Sequence, residues 1–227
     1  MIDSKKKEYP FVKHYPLRFE EKEMIDRSQE FYEFMDKRRS IREFSDKEIP
    51  IEIIENIIKT ASTAPSGAHK QPWTFCLISN AKLKSEIRKL AEEEEEKSYS
   101  GRMSEEWIRD LTPLGTDAIK EFIDIAPWVI IVMKRVYENG PDGSKQNNYY
   151  VNESVGIAAG FLITAIHNAG LCTLTHTPSP MNFLIKALGR PANERPFLLL
   201  PVGYPADEVT VPDLGRKQLA DVTVYYE

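Results

Sequence analysis

The chain has 227 residues, of which 41% are hydrophobic and 29% charged, and its formal net charge at pH 7 is −5. This length and composition are typical of one soluble globular domain. The negative net charge argues against nucleic acid as the main partner, because nucleic-acid binding needs clustered cations.

The sequence contains no segment that predicts a membrane span or an export signal. The longest nearly apolar run, residues 155–166, is shorter than the roughly 20 residues that a membrane-spanning helix needs. The N-terminus has basic residues but no apolar core of the kind found in secretory signals. Cys76 and Cys172 lie in apolar segments and are expected to be reduced thiols in the core. We therefore expect a cytoplasmic protein without membrane contact.

The first third of the chain predicts an arm, two helices and a strand. Residues 1–27 have mixed charge and no apolar period, which predicts an extended N-terminal arm. One helix is predicted to begin at Ser28, and a second at Pro50, where isoleucines follow with helical spacing. The apolar residues 73–79 predict a buried strand.

The middle of the chain predicts helices around a second strand. Residues 82–99 form a long predicted helix, which contains five consecutive glutamates at positions 92–96. Residues 104–124 are predicted to be helical with an interruption near Pro113. The apolar run 128–133 predicts a second buried strand.

The last third predicts a buried helix and further strands. Residues 149–169 are apolar nearly all round, which predicts a central helix that is buried on every side. Strands are predicted at 171–175 and 197–202, a short helix at 181–188, and a strand-like tail at 222–225. Short strands alternating with helices indicate an α/β or α+β domain.

Motifs of metal sites and of nucleophilic catalysis do not occur in the sequence. The four histidines lack the spacing of a metal site, and there is no G-x-S-x-G, P-loop or G-x-G-x-x-G. We expect no metal site. An enzyme with this sequence would therefore take its chemistry from an organic cofactor.

Three separated pieces are candidates for a cofactor site. The run RRSIR, residues 38–42, carries guanidiniums that match phosphate or carboxylate oxygens, although a solvated basic helix end is the alternative. The loop 64–69 (APSGAH) lets backbone N–H groups approach a flat ligand closely, although it is equally typical of an ordinary Pro-Gly turn. The strand exit 175–177 (THT) presents hydroxyls where α/β folds often have their sites.

Together these pieces resemble the FMN-dependent nitroreductase superfamily. The motifs that carry the resemblance are RRSIR, APSGAHKQPW, NAG, THTP and LLLPVGYP. A further set is similar to the iodotyrosine deiodinase branch, over residues 28–227: EEEEEKSY, AIKEF, LGRPA and VPDLGRK. Animal members carry an N-terminal membrane anchor, and this chain is expected to be a soluble relative without one.

The resemblance implies a nitroreductase-like fold, with a central mixed β-sheet flanked by helices, in an intertwined homodimer. One FMN is expected at each of two shared interfaces. The single FMN domain of residues 28–227 is expected to include a lid at about 92–116 and a C-terminal extension at about 205–227.

The resemblance also assigns the cofactor-binding residues. Thr175 is similar to the catalytic hydroxyl that bonds flavin N5, and Arg42 would stand beside the flavin end that becomes anionic on reduction. His176 occupies a position where threonine is more usual. The implied cofactor-binding set is Arg38, Arg39, Ser40, Arg42, Pro65, Ser66, Gly67, Thr175, His176, Thr177 and Arg216.

The implied substrate site binds the zwitterion of an amino acid. Glu95 would bind its ammonium and Lys120 its carboxylate, with Tyr99 hydrogen-bonding alongside. The backbone N–H of Ala68 would receive the phenolate oxygen. Without the resemblance, the glutamate run is typical of a solvated charged face.

Three functions remain open from the sequence. The favoured one is FMN-dependent reductive dehalogenation of halotyrosines, with electrons from NAD(P)H or from a separate reductase. The second is a general NAD(P)H-dependent nitroreductase or quinone reductase. The third is a non-catalytic protein that binds flavin or an aromatic amino acid.

Overall fold

The structure is a computed structural model that describes residues 10–227. The first nine residues of the predicted N-terminal arm therefore lie outside the described residues. The chain divides into two compact units, one ending at Lys37 and the other beginning at Arg38.

The first unit contains helix α1, Glu21–Asp36. The predicted helix start at Ser28 is wrong, because the helix begins two turns earlier. The hydroxyl of Ser28 donates to the carbonyl of Ile25 within the helix (2.8 Å) and caps nothing. The apolar residues that indicated this helix, Phe31, Phe34 and Met35, lie in its second half and therefore did not mark its start.

The second unit contains the remaining helices and strands of the described chain. Its helices and strands are α2 (Ile51–Ala61), β1 (Trp73–Ile78), α3 (Ala81–Lys97), α4 (Glu105–Leu111), α5 (Phe122–Ile125), β2 (Trp128–Arg135), β3 (Tyr137–Asn139), β4 (Lys145–Asn147), α6 (Val151–Asn168), β5 (Cys172–Thr173), α7 (Phe183–Ala187), β6 (Glu194–Gly203) and α8 (Leu219–Val222). A π-helical turn, Ser98–Arg102, and a 3-10 turn, Thr112–Leu114, flank α4.

A four-stranded sheet in the order β1-β2-β6-β5 organises this unit. The named strands pair antiparallel. One parallel bridge, between Ser40 and Thr173, adds the RRSIR segment to the edge of the sheet and makes it mixed. The α/β (α+β) prediction is confirmed.

Strand β2 explains why the fold has a core on each face of the sheet. Its residues 129–133 are completely buried, and alternate side chains point to opposite faces. Ile130 and Val132 pack with α2 and α6, whereas Val129, Ile131 and Met133 pack with α3, α5 and α7. A strand covered on both faces needs a continuous apolar run, which is what WVIIVM provides.

Two other predictions differ from the structure. The predicted strand at 222–225 is wrong, because α8 (Leu219–Val222) ends at the first of these residues and residues 223–225 have no regular structure. A capping box between Gln218 and Asp221 fixes the start of this helix. Helix α6 is apolar as predicted, but it is not buried all round: Ile157 and Phe161 are 43% and 40% exposed. In the described part of the chain, no helix is long and apolar enough to cross a membrane.

Candidate functional site

A cavity of about 530 Å³ in the second unit collects most of the predicted site residues. Its walls come from the RRSIR segment, the end of α3, residues 103–122, the strand exit and the C-terminal segment. The predicted residues that line it are Arg38, Arg39, Ser40, Arg42, Glu95, Tyr99, Lys120, Thr175, His176, Thr177 and Arg216.

Backbone bonds fix the RRSIR segment beside the strand exit. The N–H of Ile41 donates to the carbonyl of Thr173 (3.2 Å). The guanidinium of Arg39 donates to the carbonyl of Pro212, and that of Arg216 donates to the carbonyl of Arg38 (2.9 Å). The C-terminal segment thereby brings a fourth arginine to the three of RRSIR. We call Arg38, Arg39, Arg42 and Arg216 the arginine wall.

The arginine wall concentrates like charges at a partly buried surface. Burial lowers the pKa of Arg38, and the neighbouring cations Arg216 and Arg39 lower it further. Burial also lowers the pKa of Arg42, whose buried Nε has no hydrogen-bond partner in the described part of the chain. Such a cluster is stabilised by an anion that accepts from several guanidiniums, as a phosphate group does.

The three side chains of the strand exit, residues 175–177, alternate between exposed and buried. The backbone of His176 pairs with Leu199 (N–H to carbonyl 2.9 Å, carbonyl to N–H 3.0 Å), which buries the imidazole. Thr175 and Thr177 are exposed and line the cavity. The cavity lining at the strand exit therefore consists of two exposed hydroxyls and one buried imidazole.

His176 is a neutral imidazole at physiological pH. Its ring contacts Phe122 edge-on, with 5.6 Å between centroids. Burial lowers the pKa of His176 to about 3, with further contributions from the cations Lys120 and Arg42. Its Nε2 is buried and has no partner among residues 10–227. His176 thus contributes an uncharged, mostly buried imidazole to the lining of the cavity.

Glu95 and Lys120 form a buried ion pair that lines the same cavity. The carboxylate and Nζ lie 3.7 Å apart, and the residues are only 8% and 3% exposed. Burial raises the pKa of Glu95, and the charge of Lys120 opposes that shift. Burial lowers the pKa of Lys120, which the charge of Glu95 opposes. The charge of Glu95 is therefore supported by Lys120, and that of Lys120 by Glu95 and by the nearby carboxylate of Asp117. We call Glu95, Lys120 and Tyr99 the zwitterion wall.

Tyr99 follows Glu95 by one helical turn and completes this wall. Its hydroxyl donates to the carbonyl of Thr116 (3.1 Å), and its ring centroid lies 6.0 Å from the Nζ of Lys120. Burial raises the pKa of Tyr99, and so does the nearby carboxylate of Glu95. The phenol is therefore a neutral hydrogen-bonding group at physiological pH.

The glutamate run is not a uniformly solvated face. Glu95 is buried, and Glu94 pairs with Lys97 (2.8 Å) and Arg102 (2.6 Å). Glu93 and Glu96 are exposed. The solvated-face interpretation therefore describes only part of the run.

Apolar residues that the sequence reasoning missed cover the cavity. Met103, Trp107, Leu111 and Leu114 all line it, and they lie within the segment predicted to be a lid. Their spacing of four, four and three residues is that of one helical face, and this period was the signal that could have identified them. We call these four residues the roof.

The predicted loop residues Pro65, Ser66, Gly67 and Ala68 do not line this cavity. The N–H of Gly67 donates to the hydroxyl of Ser154 (3.2 Å) near the start of α6. A Cβ at Gly67 would lie 2.7 Å from the carbonyl oxygen of Tyr149, so only glycine fits there. Within one chain, the predicted cofactor set is thus divided between two places.

Comparison with known proteins gives a family and several relatives. The nitroreductase family model matches residues 35–204. The chain is 60% identical to iodotyrosine deiodinase of Haliscomenobacter hydrossis over 216 residues, which are 95% of this chain and 97% of that protein. It is 50% identical to iodotyrosine deiodinase 1 of Homo sapiens over 212 residues, covering 93% of this chain and 72% of that protein.

A solved structure has the same fold. The crystal structure of oxidized iodotyrosine deiodinase bound to FMN and 3-iodo-L-tyrosine matches with a TM-score of 0.74 and 29% sequence identity. The match covers 87% of this chain and 98% of that chain.

Proposed function

The chain belongs to the nitroreductase family, and we propose that it is an FMN-dependent enzyme that removes halide reductively from halotyrosines. The observation that carries this proposal is the buried pair of Glu95 and Lys120, which shares one cavity with the arginine wall. A general nitroreductase needs a cation cluster for its cofactor, but it has no use for a buried carboxylate and ammonium beside it.

The arginine wall suits the phosphate end of FMN. Its guanidiniums are close enough to lower the pKa of Arg38, so an anion held among them removes a repulsion that the chain otherwise bears. Ser40 and the hydroxyls of Thr175 and Thr177 line the same cavity and add neutral hydrogen-bonding groups. When bound, FMN would supply the two electrons that, with one proton, replace halide by hydrogen on the aromatic ring.

Thr175 is proposed as the hydroxyl that forms a hydrogen bond with flavin N5. Thr177 is the same residue type two positions further on and provides the control. Both are exposed and line the cavity. We expect Thr175→Val to slow halide release by about tenfold with little change in FMN affinity, since one positioned hydrogen bond is removed. Thr177→Val is expected to have a smaller effect. The reverse order in single-turnover rates would transfer the role to Thr177.

The zwitterion wall is proposed to exchange its internal pair for a bound amino acid. The substrate's ammonium would take the place of Lys120 at Glu95, and its carboxylate would take the place of Glu95 at Lys120. A buried ion that loses its partner is strongly destabilised. A zwitterion satisfies both ions at once, whereas a ligand with a single charge leaves one of them unpaired. The wall therefore selects amino acids over simple amines or acids.

The loop with Pro65, Ser66, Gly67 and Ala68 is proposed to act on the cavity of a second copy in a homodimer. This loop packs against the start of α6, whose apolar face carries the exposed Ile157 and Phe161. A second copy that covers this face would bring its own loop toward the cavity, where the N–H of Ala68 would receive the phenolate of the substrate. Sedimentation at micromolar concentration is expected to give a dimer, and a monomer would contradict this assignment.

Product analysis tests the proposed reaction. FMN-loaded protein, reduced with dithionite without oxygen, is mixed with 3-iodotyrosine, and iodide and tyrosine are quantified. We expect one iodide and one tyrosine for each reduced flavin. Reduced flavin that persists with intact iodotyrosine would overturn the proposal. Repeating the reaction with NAD(P)H in place of dithionite decides between direct reduction and a separate reductase.

A further inference from the structure

Helix α3 carries a row of charged residues that all contact the segment 117–126. Lys84, Arg88, Glu92 and Glu95 follow each other at spacings of four, four and three, so they lie on one face of the helix. The segment that they contact contains Lys120, the cation of the zwitterion wall. Three of these four residues have no part in the function proposed above.

The first two residues of the row attach this segment to the helix. The Nζ of Lys84 donates to the carbonyls of Asp124 (2.8 Å) and Ala126 (2.6 Å). The guanidinium of Arg88 donates to the carboxylate of Asp124 (2.9 Å). These contacts lie away from the cavity and fix the far end of the segment.

Glu92 attaches the segment at Lys120 itself. Its Oε1 accepts from the backbone N–H of Lys120 (2.7 Å) and from the Nε of Arg88 (2.8 Å). The side chains of Glu92 and Arg88 are only 24% and 25% exposed, so water competes weakly for these bonds. A hydrogen bond to a carboxylate is among the stronger ones in proteins.

We infer that Glu92 is a positioning residue for the zwitterion site, an inference that rests on the function proposed above. Glu92 precedes Glu95 by one turn of the same helix, and it holds the main chain of the residue whose side chain Glu95 meets. The distance between the two charges of the site is thereby set by α3. The role of Glu92 is to hold the main chain of Lys120 beside Glu95, so that both side chains stay in place to receive a zwitterion when their pair opens.

A purely stabilising role predicts different behaviour, and this allows a test. Loss of a general stabiliser loosens the whole domain and weakens the cofactor site along with the substrate site. Loss of a positioning residue acts on halotyrosine binding and leaves FMN binding at the arginine wall unchanged. The variants are Glu92→Ala, Glu92→Gln, whose amide oxygen still accepts from the Lys120 N–H, and Glu86→Ala as an exposed control on the same helix.

We expect Glu92→Ala to weaken 3-iodotyrosine binding by about tenfold, the loss of one charge-assisted hydrogen bond. Glu92→Gln should recover most of that loss, and Glu86→Ala should match the parent. The KM for 3-iodotyrosine rises in Glu92→Ala while kcat and the FMN dissociation constant stay within a factor of about two. Equal losses in 3-iodotyrosine and FMN affinity, or no loss in either, would overturn the inference.

Amide exchange separates a failure of this inference from a failure of the proposed function. The Lys120 amide of the protein without halotyrosine is expected to exchange faster in Glu92→Ala than in Glu86→Ala, whatever the substrate is. An unchanged Lys120 amide would refute the positioning role. The alternative result is that the parent protein binds no 3-iodotyrosine, while Glu92→Ala still makes the Lys120 amide exchange faster. That result would refute the halotyrosine assignment and keep the positioning role.

Discussion

The two charged walls of the cavity are built in opposite ways. In the arginine wall, like charges approach each other, and Arg39 and Arg216 donate to backbone carbonyls. In the zwitterion wall, Glu95 and Lys120 balance each other within 3.7 Å and are almost inaccessible to water. One wall has excess positive charge, and the other is neutral as a unit.

This difference suits two kinds of ligand: a cofactor that stays bound at the arginine wall and a substrate that binds and leaves at the zwitterion wall. An excess of cations is relieved only by an anion, so the arginine wall suits a cofactor that stays bound. A balanced buried pair is stable without a ligand, and it opens only to a molecule that offers both charges. The walls should therefore respond differently to mutation, to pH and to salt.

The largest effect is expected from breaking the balanced pair. Glu95→Gln leaves Lys120 buried without its counterion and removes the partner of the substrate ammonium. We expect 3-iodotyrosine affinity to fall by at least about 30-fold, since leaving the bound ammonium without its buried partner costs about 2–5 kcal/mol. Fluorescence titration of FMN-loaded protein measures this loss.

The neighbouring residue provides the control for this substitution. Glu96→Gln changes an exposed carboxylate of the same run and is expected to leave the affinity within a factor of about two. Nitroaromatic reduction should survive Glu95→Gln nearly intact. If nitroaromatic and halotyrosine turnover fall together, the general reductase hypothesis is favoured instead.

The next largest effect is expected at the arginine wall. Arg38→Ala or Arg216→Ala removes one of the clustered guanidiniums, and FMN affinity should fall by about 10-fold or more, the value of a charge-assisted hydrogen bond. Reconstitution of flavin-free protein, followed by fluorescence, gives the dissociation constant. Lys89→Ala, an exposed cation on α3, should bind FMN like the parent. A loss of equal size in Lys89→Ala would show that only the net charge matters.

The pH dependence of substrate binding isolates the zwitterion wall. The pKa of Glu95 is raised above its ordinary value of 4.5 by burial. The bound ammonium needs the ionised carboxylate, so affinity should fall by about tenfold per pH unit as pH drops below that raised pKa. His176, with a pKa of about 3, and the neutral Tyr99 do not titrate in this window.

The same titration in a variant checks the assignment. Protonation of the ligand's own phenol weakens binding in both proteins, so the comparison isolates Glu95. Glu95→Gln should lack the additional loss of affinity that the parent shows below the raised pKa of Glu95. The same acid-side profile in both proteins would assign the titration to another group.

Salt is expected to produce the smallest effect. The arginine wall is only partly buried, so raising ionic strength from about 0.05 to about 0.5 M should slow FMN association severalfold. The Glu95–Lys120 pair is nearly inaccessible, and 3-iodotyrosine affinity should change by less than about twofold. Stopped-flow fluorescence at both salt concentrations measures the two responses. Equal salt dependence would contradict the described contrast between the walls.

The sequence predicted the strands of the four-stranded sheet better than the exposed helices, whereas the polar pair β3 and β4 was not predicted. The run WVIIVM identified β2 because a strand buried on both faces must be apolar throughout. The residues that indicated helix α1 lie in its second half, so they did not mark its start at Glu21. The tail at Val222 was predicted as a strand from its β-branched residues, although the Gln218–Asp221 capping box favours the helix that is present.

The site was predictable to different degrees on its two sides. The three arginines of RRSIR are typical of an anion site because of their chemistry. The structure adds Arg216 to them through a hydrogen bond to the carbonyl of Arg38. Glu95 and Lys120 are 25 positions apart, and no local pattern pairs them. Only the docking of the segment 117–126 on α3 brings them together. The placement of Glu95 and Lys120 in one site was predicted from the resemblance to the deiodinase branch, because the spacing of these residues does not indicate it.

The central claim is that one wall holds FMN and the other selects a halogenated amino-acid zwitterion. Titrating the flavin fluorescence of FMN-loaded protein with 3-iodotyrosine and, separately, with tyrosine tests it most directly. We predict saturable quenching by 3-iodotyrosine at concentrations at least about tenfold lower than by tyrosine. Both amino acids offer the zwitterion, but the halogen makes the phenol of 3-iodotyrosine more acidic, so that its ionised form is available for binding. No quenching by 3-iodotyrosine, or equal quenching by both amino acids, would contradict the account.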